Sequence, residues 1–310
     1  MRMKKTILSS IIGIILLAII FYAMGVEDTV SLLAKTDLYL FLYAGVAFLF
    51  MELALGFKLK ILLPSLSIKG MFLSHQGGMF LSNMTPGRAG YFYAAYSVAK
   101  RTGTSISKNI GMLTLIQGLT MITKIVILCI AFVYLSFIIE VPSIFLLAFA
   151  VPLLIVFLVL FMLYTRISHQ VLGKIPVLNR ATKYLELMQQ ATKDLKKTKM
   201  MKLFSIDPIC WFFSGLQFSL LASAIGIQID IIMAIIITQL ISVLMFIPIS
   251  PAGLGVTEGG GIVLFLLLGF TAPQAVSLIL LWRVHSILFD GVTGMWDINF
   301  NLLNWMGSPK

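Results

Sequence analysis

Runs of apolar residues longer than a soluble core needs dominate this sequence, and they restrict it to one kind of fold. Six stretches, at about 7–25, 38–57, 109–138, 143–165, 207–225 and 273–294, are almost free of charge. At 1.5 Å per residue, ~18 or more such residues span the ~30 Å hydrocarbon core of a bilayer as a helix. Composition agrees: 59% of the 310 residues are hydrophobic and 11% charged, where soluble domains carry about a quarter charged residues. The chain reads as an all-α polytopic membrane protein, which leaves no soluble domain to host an enzyme.

A net charge of +11 raises the question of nucleic acid, and the placement of the charges answers it. Basic residues flank the apolar runs, the positive-inside pattern, rather than forming a docking face. Cys129 and Cys210 both fall within apolar runs without a CxxC spacing, so neither a disulfide framework nor a zinc site is indicated. The first apolar run, 7–25, follows Arg2, Lys4 and Lys5. It exceeds a signal-peptide core of 7–15 residues, so it is expected to remain as an uncleaved first helix.

Two further apolar stretches, 70–100 and 231–268, are broken in the middle. The first break is Ser82-Asn83-Met84-Thr85-Pro86-Gly87-Arg88-Ala89-Gly90. The second is Pro248-Ile249-Ser250-Pro251-Ala252-Gly253-Leu254-Gly255. Each flank is too short to cross a bilayer alone. The expected architecture is therefore six full transmembrane helices plus two re-entrant helical hairpins, all within one transmembrane domain over 1–310.

Charge tests that order. With the N-terminus inside, the first hairpin enters from the cytoplasm and the second from outside. Cytoplasmic segments then hold Arg2, Lys4, Lys5, Lys58, Lys60, Lys69, Lys100, Arg101 and Lys108. The loop at 166–202 adds Arg166, Lys174, Arg180, Lys183, Lys193, Lys196, Lys197, Lys199 and Lys202, and Lys310 closes the chain. External segments hold Lys35 beside Glu27, Asp28, Asp37, Glu140 and Asp230. Such a bias orients multi-spanning proteins: a cell-membrane protein with both termini cytoplasmic. Hairpins of opposite entry give an inverted-repeat layout, in which discontinuous helices build a binding site near the midplane. The basic 166–202 loop either lies along the anionic inner leaflet or is a plain connector.

Irregular backbone at membrane depth is tolerated only when buried in protein or lining a wet cavity. The breaks thus predict a polar interior, with Gly87, Gly253 and Gly255 allowing tight turns and half-helix starts favouring an anion. Arg88, inside the first break, offers a planar fork for phosphate; the plain alternative is an arginine snorkelling to the inner surface. Arg283 lies in mid-helix, where a charge costs ~2.5–3.5 kcal/mol on insertion scales and should have a partner. Glu258 is the nearest carboxylate in expectation and Asp290 the other; the pair either serves transport or locks two helices together.

Lys124 shares a helical face with Thr114, Gln117 and Met121, a stripe expected to face the cavity. Glu52 is expected to pair with Lys58 or Lys60. His75 and His285 lack metal spacing and read as satisfied core histidines. Metal-binding, nucleophile-elbow and phosphate-loop motifs do not occur in the sequence, so transport explains these residues better than catalysis does, and no cofactor is expected.

The residues around the breaks carry a resemblance. Pro86-Gly87-Arg88-Ala89-Gly90, the run from Pro248 through Gly259, and Leu281-Trp282-Arg283 resemble the lysylphosphatidylglycerol synthase/flippase transmembrane-domain family, over nearly the whole chain. The resemblance implies movement of a lipid between leaflets, with aminoacylated phosphatidylglycerol or polyprenyl-phosphate-linked glycans as substrates and a glycosyltransferase as an associated partner. By matching position, Arg88, Glu258 and Arg283 inherit a role. Tyr91 follows Gly90 where such proteins commonly carry an acidic residue, and Ala252 stands where Gly is usual. Synthase activity does not carry over, because the soluble aminoacyl-transfer domain is absent from this sequence.

Overall fold

The structure is a computed structural model, and it describes residues 26–85, 88–137, 196–245 and 253–306. Every regular element among them is helical. In chain order these are α1 (Val26–Ala34), α2 (Leu38–Leu62), α3 (Ile68–Asn83), a 3-10 turn (Ala89–Phe92), α4 (Tyr93–Thr102), α5 (Ile106–Ser136), α6 (Lys197–Ala224), α7 (Ile231–Leu244), α8 (Val256–Leu267) and α9 (Ala272–Met306). Four are long and apolar enough to cross a membrane: α2, α5, α6 and the Ala272–Asn299 part of α9. The expected crossings at 7–25 and 143–165 lie outside the described residues, as does the loop at 166–202 up to residue 195. The crossing expected at 207–225 starts earlier, because α6 extends back through basic residues from Lys197.

Both interruptions anticipated from Pro and Gly are present. The 16-residue α3 and the 10-residue α4 are separated by the turn at Ala89–Phe92. The 14-residue α7 and the 12-residue α8 flank the second break. Local chemistry sets the helix ends. Asp230 caps α7 by accepting from the N–H groups of Ile232 and Met233, and Asp37 caps α2 through Tyr39 and Leu40, satisfying donors that helix starts leave open. The α8 helix closes on Gly269 at φ 85°, with the Phe270 N–H donating to the Phe265 carbonyl, a left-handed stop suited to glycine.

The chain forms two compact units. One comprises Met1–Ala54, Phe72–Ala94 and Ile209–Lys310; the other comprises Leu55–Met71 and Ala95–Pro208. In the first, α9 packs against α8 and α1, and α7 packs against α8. Small residues let backbones approach. A methyl group on Gly294 would lie 2.6 Å from the Gln76 carbonyl oxygen, and one on Gly45 would meet the Phe289 ring at 2.0 Å. Close packing of this sort holds helices together where lipid removes the hydrophobic drive.

Polarity is distributed inside-out relative to a soluble fold. Large apolar side chains face outward, among them Leu38 (65% exposed), Val133 (55%) and Trp296 (67%). Glu52, His75, Gln76, Glu258, Arg283, Asp290 and Asp297 are instead buried. Polar groups turned inward from apolar helices are what the membrane reading requires.

Candidate functional site

The first break places its arginine in an unusual backbone. Arg88 sits at φ 56°, ψ 25°, the non-glycine residue with positive φ among the described residues. That left-handed conformation costs an ordinary side chain roughly 1–2 kcal/mol, and such strain gathers at functional sites. Its guanidinium donates to Ser82 Oγ through Nε and a terminal nitrogen, both at 3.3 Å, and approaches Met79 Sδ at 3.3 Å. The other terminal nitrogen reaches Met245 Sδ at 4.0 Å. Met245 ends α7 at the edge of the second break. The two breaks therefore adjoin through Arg88. Gly87 lies outside the described residues.

The second break is organised by an acid. Gly253 and Gly255 take φ values of 72° and 84°, and α8 begins immediately after. One oxygen of Glu258 accepts from the Gly255 N–H at 2.7 Å; the other lies 3.2 Å from Arg283 Nε. A carboxylate on the first turn is favoured by the open N–H groups and the helix dipole. The protein thus fills this half-helix start with its own anion, where sequence reasoning expected a place for a ligand's.

Glu258, the first of the two expected carboxylates, is the one that meets Arg283. Asp290 instead accepts from Asn83 Nδ2 at 2.7 Å, which ties α9 to the end of α3. Asp290 still lies within electrostatic reach of Arg88, Arg283 and Glu52. Arg88, Glu258, Arg283 and Asp290 are consequently brought into one constellation. Lys124 belongs to the other compact unit, where it is half-buried.

The pairing expected of Glu52 is corrected. Lys58 goes to Asp207, buried with it as an ion pair, and Lys60 donates to the carbonyl oxygens of Pro64 and Leu66. About one and two-thirds helical turns separate Glu52 from Lys58, so the two leave α2 on different faces. Glu52 Oε2 meets His75 Nε2 at 2.8 Å, and His75 Nδ1 lies 2.9 Å from the Tyr91 hydroxyl. His285 contacts Gln217 Nε2 at 3.0 Å, a satisfied core histidine as expected.

Sequence reasoning passed over Asp207 and its setting. Thr120 Oγ1 receives a hydrogen bond from Lys58 Nζ at 2.7 Å, and Thr123 Oγ1 donates to Asp207 Oδ2 at 2.9 Å. An acid directly before Pro208 in an apolar stretch was the available signal, since a carboxylate at membrane depth calls for a partner.

Residues 6–294 match the family described as lysylphosphatidylglycerol synthase TM region. The chain is also similar to a UPF0104 membrane protein of Methanocaldococcus jannaschii, 24% identical over 229 residues that cover 73% of this chain and 97% of that protein.

Proposed function

The chain belongs to the lysylphosphatidylglycerol synthase transmembrane-region family, and from that premise we propose that it is a lipid transporter of the flippase type. It carries an anionic or lipid-linked headgroup between leaflets through a polar interior. Arg88 is the observation that carries this reading: a strained arginine at one helix break, touching the residue that ends the helix before the other. A guanidinium matches a phosphate in charge and planar geometry.

In this reading, α3 and α4 form a re-entrant hairpin entering from the cytoplasm, and α7 and α8 form one entering from outside. Gly253 and Gly255 let the backbone turn at depth, and the Glu258–Arg283 pair fixes α8 on α9 beside Arg88. Binding residues are Arg88 and Arg283. The site moves the headgroup without altering it, so the protein acts as a carrier in the cell membrane. Its ligands are anionic phospholipids or polyprenyl-phosphate-linked species, and a separate glycosyltransferase would supply or consume the latter.

The test is transbilayer movement of a fluorescent phosphatidylglycerol in proteoliposomes, read by chemical quenching of the outer leaflet. Quenching beyond the outer-leaflet fraction is expected with the protein and not in empty vesicles. Unchanged quenching would remove lipid transport. Chloride and phosphate fluxes in the same vesicles separate it from a small-anion transporter. Mass spectrometry for new lipid products separates it from an enzyme.

A further inference from the structure

Glu52 is a carboxylate in contact with a histidine, in a place where an unpaired charge is costly. It sits near the middle of α2 with no exposed surface. Neither oxygen has a hydrogen-bond partner in proper alignment among the described residues, although His75 Nε2 stands 2.8 Å away. A buried ionised carboxylate needs pairing and hydrogen bonds to remain charged. Here the partner is present at contact distance with its ring turned off line. A further proton on the imidazole turns this contact into an ion pair.

His75 supplies a group able to hold that proton, because an imidazole changes charge between pH 5 and 8. Its other nitrogen meets the hydroxyl of Tyr91, a buried residue of the 3-10 turn that follows Arg88. With a neutral ring protonated at Nε2, the Tyr91 O–H donates to Nδ1. With the ring doubly protonated, Nδ1–H donates to the Tyr91 oxygen, and the hydroxyl proton must find another acceptor. Adding a proton therefore reverses a hydrogen bond anchored in the first break. The ring takes one proton from water and returns it to water, and no other bond changes.

We propose that Glu52 and His75 form a proton-binding site, linked through Tyr91 to the first helix break, that couples lipid movement to a proton gradient. This coupling rests on the lipid-transport reading above. Other groups bear on the pair. From α9, Asp290 interacts with Glu52, and Asp297 packs against Gly77, two residues beyond His75. From the break, Arg88 acts on Tyr91. From α6, Cys210 Sγ lies 4.0 Å from the Met51 carbonyl oxygen. Arg283 stays with Glu258.

Two measurements decide it. In lipid nanodiscs, nitrogen-15 imidazole spectra of the protein carrying His169→Gln, which removes the histidine of the 166–202 loop, should show one ring titrating between pH 5 and 8. Its signal should be absent from His75→Gln, and its pH dependence should be altered in Glu52→Gln. In phosphatidylglycerol/phosphatidylethanolamine vesicles with the membrane potential clamped, one proton moved per lipid gives about a tenfold leaflet asymmetry per pH unit of gradient. His75→Gln should remove that asymmetry. A His75 ring that keeps one protonation state from pH 5 to 8 overturns the site. Lipid movement in wild-type protein that ignores the gradient overturns the coupling and leaves transport standing. Absence of any lipid movement overturns transport and the coupling with it.

Discussion

Glu258 and Arg283 face each other at 3.2 Å, the acid on the first turn of α8 and the arginine about a third of the way along α9. The acid's second oxygen holds the Gly255 N–H at 2.7 Å, so one carboxylate both caps a helix and neutralises a buried cation. The pair fixes the second break to α9.

That double duty predicts unequal effects on stability. Arg283→Met strands a buried carboxylate and should cost about 3–5 kcal/mol, the usual penalty for breaking a buried pair from one side. Glu258→Gln in the same background keeps an acceptor for Gly255 and removes the stranded charge. The double variant should therefore recover most of the loss, as followed by thermal unfolding in detergent. Additive losses would show that the pair is not coupled.

The Lys58–Asp207 pair in the other unit predicts the same signature at a different place. Lys58→Met and Asp207→Leu should each destabilise the protein strongly, while a double-mutant cycle returns a coupling energy of about 0.5–3 kcal/mol. Thr120 and Thr123 accept from and donate to the pair, so Thr123→Val should weaken Asp207's support by about 1 kcal/mol.

Two glycines should respond in opposite directions. A methyl group on Gly90 would fall 2.2 Å from the Leu81 carbonyl oxygen, a backbone atom that cannot step aside, and 2.8 Å from Thr85 Oγ1. Gly90→Ala should lower stability by about 1–3 kcal/mol, the range for overpacking, and disturb the first break. Gly118, within α5, has open space where the methyl would go. Gly118→Ala should be neutral or stabilise by about 0.5–1 kcal/mol.

Orientation is tested by accessibility. With the cytoplasmic side assigned by charge, a cysteine at Lys35 should react with a membrane-impermeant thiol reagent on intact cells. A cysteine at Lys100 should react only after permeabilisation. The reverse pattern would invert the topology.

Much of the fold was legible because membrane helices announce themselves by length. The runs at 38–57 and 273–294 sit inside α2 and α9, the run at 109–138 coincides with α5 as far as Ser136, and Pro and Gly marked both breaks. The helices overran those limits because a helix continues into polar flanks that hydropathy does not count, as α6 does through Lys197, Lys199 and Lys202. At the site, Arg283 demanded a carboxylate and Glu258 provided it. Spacing along one helix misassigned Glu52, since its partner His75 comes from another element, and nothing in either local sequence encodes that meeting. The pairing of Asp207 with Lys58 escaped notice for the same reason: they are 149 residues apart in the chain.

The most direct measurement compares transbilayer movement of fluorescent phosphatidylglycerol by wild-type protein, Arg88→Ala and Arg283→Ala, at matched amounts of folded protein in proteoliposomes. If a guanidinium pocket between the two helix breaks carries the headgroup, the wild type moves the lipid and both variants lose most of that rate. Wild-type rates in both variants would contradict it.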